Sequence, residues 1–341
     1  MKSKSKETSK RHLRSLMTAV AIVVVSLLSP ADRSSVAKAQ SNCATLENQL
    51  KGLEAGQARL QKAMQNAAGE EKQSLLQQIR DLESEIRRKQ IEINQNRCHG
   101  EVMTWNVAGF PRSALVFPPI ARAAKHPLIF AWHGHGGKMD SVAESMHFQS
   151  LWPEAIIVYP QGLDTKTNND PNGGLGWQKE KGDDNDRDLK LFDAILATLR
   201  QKYSVDDTRI YTTGFSNGTG FSYLLWVERG EVFAAIGAVA GVIADSEQQK
   251  PTKARALIAI FGTGTGTADE DIKEKTIRRA REINATGPGQ HCAIPIGADH
   301  CTLFPSTIQT PVKKITHSGG HEYPAWAPDE IVKFFKNHQR P

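Results

Sequence analysis

The feature that most narrows the folds open to this chain is a turn. Residues 209–213 read as a strand and residues 219–227 as a helix, and between them stands Gly214-Phe215-Ser216-Asn217-Gly218. A strand that becomes a helix within so few residues needs glycine where the backbone is crowded, and it lifts the central side chain off the tip of the strand. The helix N-terminus then lies beside that side chain, with unpaired N–H groups and a partial positive charge. The turn therefore implies an α/β layering and singles out Ser216.

The rest of residues 100–341 agrees. Residues 101–107 and 113–117 read as strands that open a sheet. Residues 127–132 and 155–159 are short apolar runs of the kind buried on both faces. Residues 186–203 are amphipathic, with Leu189, Phe192, Ile195, Leu196 and Leu199 on one face. Strands follow at 233–240, 256–261 and 311–316, and a last helix at 329–337. Strands alternating with helices predict a mainly parallel sheet with helices on both faces.

Residues 44–97 have another texture. They contain no aromatic residue and no proline. Leu46, Leu50, Leu53, Gln57, Leu60, Met64 and Ala67 step by fours and threes, as do Leu75, Ile79, Leu82, Ile86, Lys89 and Ile93. Two heptad seams with a turn at 66–69 predict an antiparallel helical hairpin. Two helices bury little apolar surface alone, so the hairpin is expected to lean on the domain that follows or to self-associate with a second copy. It serves either as a spacer or as a partner-binding arm.

The first 39 residues read as an export signal. A basic stretch precedes the apolar run 16–28, and Ala37-Lys38-Ala39 supplies a small-x-small cleavage site. The run is too short to span a bilayer comfortably, so no stable membrane anchor is expected. The chain divides into a signal at 1–39, a hairpin at 40–99 and an α/β domain at 100–341, and the product is secreted or periplasmic. The signal carries eight Lys/Arg and two Asp/Glu, a net +6 that equals the charge of the whole chain. The mature chain is therefore neutral, and nothing in its charge suggests a nucleic-acid partner. Export permits disulfides. Four cysteines allow three pairings, of which the local ones are preferred. Cys43 and Cys98 meet at the base of the hairpin, and Cys292 and Cys301 close a short loop.

A serine hydroxyl needs a base, and the base an orienting acid. Downstream histidines are His291, His300, His317, His321 and His338. His321, in the loop Ser318-Gly319-Gly320-His321 after the last strand, occupies the expected place of the base. The acid is expected after strand 256–261, where Asp269 is preferred and Asp271 is the alternative. An oxyanion site needs two N–H donors. Asn217 supplies one, and the loop His133-Gly134-His135-Gly136-Gly137 supplies the other, with His135 preferred over Gly136. His133, His135 and His147 could instead bind a metal, but no acidic or cysteine ligand accompanies them, so no metal and no cofactor is expected.

These stretches resemble the α/β-hydrolase family that groups bacterial polyhydroxybutyrate depolymerases with feruloyl and acetyl-xylan esterases. The resemblance covers residues 100–341. It is carried by Trp132-His133-Gly134, Tyr159-Pro160-Gln161-Gly162, Trp177 with Asp183-Asp184, residues 205–211, Gly214 to Gly218, Gly266-Thr267-Ala268-Asp269 and Gly320-His321-Glu322-Tyr323-Pro324. It implies ester hydrolysis by Ser216, Asp269 and His321, with Trp177 and Tyr323 at the substrate, on hydroxycinnamoyl or acetyl polysaccharide esters or short hydroxyalkanoate esters. Here residues 261–265 intervene between the strand and the acid motif, and Tyr323 stands where the family often has Trp. The readings set against it are another serine acyl hydrolase, such as a peptidase or thioesterase, and a non-catalytic binding protein that works through its hairpin.

Peptide mapping without reduction is expected to recover Cys43 linked to Cys98. By chain entropy a loop of that size adds about 4 kcal/mol of stability.

Overall fold

A computed structural model describes residues 46, 49–95, 100–119, 124–167, 170–243, 250–264 and 267–340. The chain divides into two compact units, Met1–Cys98 and His99–Pro341. In the first, helices α1 (residues 49–64) and α2 (Gly69–Gln95) form the hairpin. Leu50, Ile79 and Ile86 on the two seams are buried. A methyl group on Gly56 would touch Leu82, and Gln57 Nε2 donates to Glu83 Oε1 at 3.1 Å, so the two helices lie side by side. The last turn of α1 tightens, with the N–H groups of Gln65, Asn66 and Ala67 reaching carbonyls three residues back. The turn thus begins one residue earlier than the expected 66–69. Cys43, Cys98 and the segment 1–39 lie outside the described residues.

The second unit is built on a ten-stranded sheet in the order β1-β2-β4-β3-β7-β8-β9-β12-β11-β10. Its middle is parallel: β4 (Ile156–Pro160), β3 (His126–Trp132), β7 (Val205–Phe215), β8 (Ala235–Val239), β9 (Ala256–Gly262) and β12 (Val312–His317). Antiparallel strands finish both edges, β1 (Glu101–Val107) and β2 (Phe110–Phe117) on one side, β11 (His300–Phe304) and β10 (Gln290–His291) on the other. Every residue of β4, β8 and β9 is buried, as strands covered on both faces require. Alternate side chains divide between two cores. Leu128, Phe130 and Trp132 meet Phe192, Ile195 and Leu199 of a helix at Arg187–Lys202, while Ile129 and Ala131 belong to the opposite core with Ile331 and Phe335 of the last helix, Ala327–Lys336. Cys292, just past β10, is disulfide-bonded to Cys301 on β11.

The fold is thus the expected α/β-hydrolase arrangement with additions. A second, two-stranded sheet of β5 (Leu163–Thr167) and β6 (Asp170–Gly176) stands where only a loop was legible. Among the described residues no helix is long and apolar enough to cross a membrane. Because the central strands are parallel, their carboxyl ends share one edge of the sheet. His133 follows β3, Ser216 follows β7, Ala240 follows β8, and Gly262 and His317 end β9 and β12.

One buried ion pair anchors the loops at this edge. Arg112 on β2 donates from Nη2 to Asp188 Oδ1 at 2.7 Å, and both side chains are fully shielded from solvent. Asp188 Oδ2 accepts the Gln178 N–H at 2.8 Å, and Gln178 Oε1 accepts the N–H groups of Asp188 and Leu189. Without Arg112 the buried Asp188 carboxylate would keep only the more distant Arg187 Nε, at 3.8 Å, as a cationic partner among the described residues. Arg112→Met is expected to cost about 3–5 kcal/mol of stability in urea titration, part of it recovered when Asp188→Leu is added.

Candidate active site

Ser216 occupies the sharp turn between β7 and the helix Asn217–Arg229, with φ 54° and ψ −117°. Its N–H donates to the Val239 carbonyl at 3.0 Å, and its carbonyl accepts the Gly220 N–H at 3.1 Å. Glycine is required at 218 because a Cβ there would overlap the Trp132 carbonyl on the neighbouring strand. Thr219 Oγ1, fully buried, accepts the Val239 N–H and donates to the Gly214 carbonyl, tying the turn to β8.

The turn aims Ser216 at the loop after β12. Ser216 Oγ lies 2.7 Å from His321 Nε2, within hydrogen-bond distance. The Phe215 ring packs 5.3 Å from the His321 ring, centroid to centroid, and steadies its plane. His321 itself is exposed, so a substrate can reach the pair. Asp269 falls in the first turn of a helix at Thr267–Ile283, and its side chain lies outside the described residues. The Asp271 side chain is exposed.

The loop after β3 is held by its own first residue. His133 is 1% exposed. Its Nδ1–H donates to the Gly134 carbonyl at 2.7 Å and its Nε2 accepts the Gly162 N–H at 2.9 Å, which fixes the neutral tautomer. Burial, the largest influence, pushes its pKa down to about 4. The Gly136 N–H is engaged by the Leu175 carbonyl at 2.7 Å, so this second-choice oxyanion donor is directed into the β6 strand instead. His135 and Asn217 converge beside Gly176, where a Cβ would stand 3.1 Å from His135 Nδ1 and 2.9 Å from Asn217 Oδ1.

Two residues expected at the substrate have other positions. Trp177 is fully buried: its ring lies against Trp132, His133 and Phe221, and its Nε1 donates to the His133 carbonyl at 2.9 Å. An indole enclosed on all sides offers no face to a ligand, so Trp177 is corrected from substrate contact to a support beneath the His133 loop. Tyr323 turns its hydroxyl into the interior, where burial raises the phenol pKa, and its ring meets Phe215 edge-on at 5.9 Å. It thus reaches the site through Phe215. Sequence reasoning missed the Asn217 side chain, whose Oδ1 accepts the Trp177 N–H at 2.8 Å and whose Nδ2 donates to the Trp177 carbonyl at 3.1 Å. An amide facing a backbone amide leaves no periodic signal in a sequence. Beside His321 opens a cavity of about 190 Å³, lined mainly by apolar groups of Ala240, Val242, Phe261 and Ile272, with Lys273 at its wall.

A strained serine on a strand-to-helix turn, bonded to a histidine from the last strand's loop, meets a matching set of relatives. Residues 112–257 match the family described as Esterase PHB depolymerase. A probable feruloyl esterase C of Aspergillus flavus is 27% identical over 62% of this chain and 77% of its own length. Feruloyl esterase D of Neurospora crassa is 28% identical over 42% of this chain and half of its own. The solved acetyl xylan esterase from Aspergillus awamori shares the fold with a TM-score of 0.52 and 13% identity, over 70% of this chain and all of its own. This unit is similar to these esterases. In this unit the family match spans β2 to the start of β9, so it includes the His133 loop, Trp177 and the Ser216 turn, while His321 lies beyond it.

The buried neutral His133 makes stability depend on pH in a stated direction. The unfolded chain protonates this histidine near pH 6.5, whereas the folded chain resists until about pH 4. Stability therefore falls as pH drops through that window, by about 3 kcal/mol in total. Urea titrations of the wild type and His133→Asn are expected to show a gap that is wide at pH 7 and narrows towards pH 4.

Proposed function

We propose that residues 100–341 form a serine carboxylester hydrolase that works through an acyl-enzyme, exported behind the signal at 1–39 and carrying the hairpin 40–99 as an appendage. The observation that carries this reading is the 2.7 Å contact between Ser216 Oγ and His321 Nε2 on a turn that strains the serine backbone. Ser216 Oγ attacks the ester carbonyl carbon while His321 Nε2 takes its proton. The negative charge that gathers on the carbonyl oxygen is met by the backbone N–H groups of His135 and Asn217, each worth about 3 kcal/mol to the transition state. Collapse expels the alcohol, which leaves with the proton from His321. Water, deprotonated by the same imidazole, then attacks the acyl-enzyme and frees the acid. Asp269 orients His321 and balances its charge. No step needs a cofactor.

The relatives' names point to hydroxycinnamoyl or acetyl esters on plant polysaccharide as the substrate class, and the depolymerase family name adds short hydroxyalkanoate esters. The apolar cavity beside His321 suits a small acyl or aryl group. Methyl ferulate, acetylated xylan and hydroxybutyrate oligomers assayed side by side separate these choices.

Ser216→Ala is expected to lower kcat on an activated acetyl ester by about 10⁶ with an unchanged melting profile. A variant that keeps a tenth of the activity would remove Ser216 from the mechanism. Asp269→Asn is expected to lower kcat by about 10⁴, and Asp271→Asn to leave it near the wild-type value. The reverse result would move the acid two residues along the helix.

A further inference from the structure

Lys273 has no part in the chemistry described above, yet it is a lysine only 8% exposed, at the wall of the cavity that His321 also lines. An ammonium is withdrawn from water at a cost unless fixed partners receive it. Lys273 Nζ donates to the Gly262 carbonyl at 2.7 Å and to Glu270 Oε1 at 2.7 Å. Gly262 is the last residue of β9, and Glu270 stands in the first turn of the helix Thr267–Ile283. The two contacts therefore fall on either side of residues 263–269, the connection that carries Asp269.

The entry to that connection is secured separately. The Thr263 N–H donates to the His317 carbonyl at 2.9 Å, and the Gly264 N–H to the Gly319 carbonyl at 3.0 Å. A Cβ on Gly262 would overlap the Gly319 and Gly320 carbonyls, so the acid loop and the base loop touch backbone to backbone. Lys273 and its two named partners secure the exit. The longer a connection, the greater the entropy to be overcome in fixing its end.

We propose that Lys273 is a positioning residue for the triad acid: its buried ammonium clamps the end of β9 to the first turn of the following helix and so holds Asp269 within reach of His321. The proposal rests on the assignment of Asp269 made above. A displacement near 1 Å in a catalytic group costs on the order of 10²-fold in rate. Lys273→Met keeps most of the stem that lines the cavity and removes the clamp. It is expected to lower kcat on an activated acetyl ester by about 10–100-fold, with KM within about twofold of wild type, because the cavity wall survives.

The decisive comparison is the same substitution in an Asp269→Asn background. A positioning residue has nothing left to position there, so Lys273→Met is expected to change kcat by less than about twofold. A purely structural lysine would slow both backgrounds by the same factor, and that result would overturn the proposal, as would a Lys273→Met enzyme with wild-type kcat. If Lys273→Met does not fold, Glu270→Ala removes one of its anchors and is read in the same two backgrounds by the same criteria. An Asp269→Asn enzyme with full activity would overturn the acid assignment itself, a failure seen without any change at Lys273.

Discussion

Ser216 is held at φ 54° with ψ −117°, outside the basins that non-glycine residues prefer, and such a residue costs on the order of 1–3 kcal/mol. The surrounding structure over-determines it. Its N–H and carbonyl are both bonded, Thr219 ties the turn to Gly214 and Val239, and Gly218 lets the following helix approach the Trp132 carbonyl on β3. The strained turn is thus sustained by the parallel sheet, whose strands β3, β7 and β8 bring these partners to the same level. The same sheet brings the loop after β12 beside it, so that the serine hydroxyl meets an imidazole from a residue 105 positions away in the chain.

A second layer of order is polar and buried. It begins at Arg112 on β2, passes through Asp188 to Gln178, continues along the backbone to Trp177, and ends at the Asn217 side chain next to Ser216. His133 joins it from the other side through the Trp177 indole and the Gly162 N–H. The Arg112 Nη groups, both Asp188 oxygens and the Gln178 and Asn217 amides all find partners inside the protein, and a buried network satisfied at these atoms sharpens a structure. The rigid frame that results supports three loops, each of which supplies only one or two groups to the site.

Much of this was legible in the sequence, and the boundary is physical. Fully buried strands such as β3, β8 and β9 announce themselves as apolar runs, and the Ser216 turn by its glycines. The antiparallel seams of the hairpin follow from heptad spacing and are met by Leu50, Ile79 and Ile86. The β5–β6 sheet was not legible, since Asp170–Gly176 reads Asp-Pro-Asn-Gly-Gly-Leu-Gly, with neither alternation nor β-branched residues; its pairing is set by the frame around it. Trp177 misled for a related reason. The resemblance placed it at the substrate, but here a tertiary core reaches up to enclose it. Lys273 was invisible because its partners are a carbonyl and a carboxylate fixed only after the helix is docked.

The backbone of Ser216 has a consequence for how such a chain changes over time. A glycine at this position would adopt φ 54° with less strain, at the price of the hydroxyl. Descendants that lose the nucleophile therefore stand to gain stability where active ones must keep paying a conformational penalty. A lineage freed from selection for turnover would drift downhill at this residue first, leaving the sheet, the buried network and the hairpin intact around an inert turn.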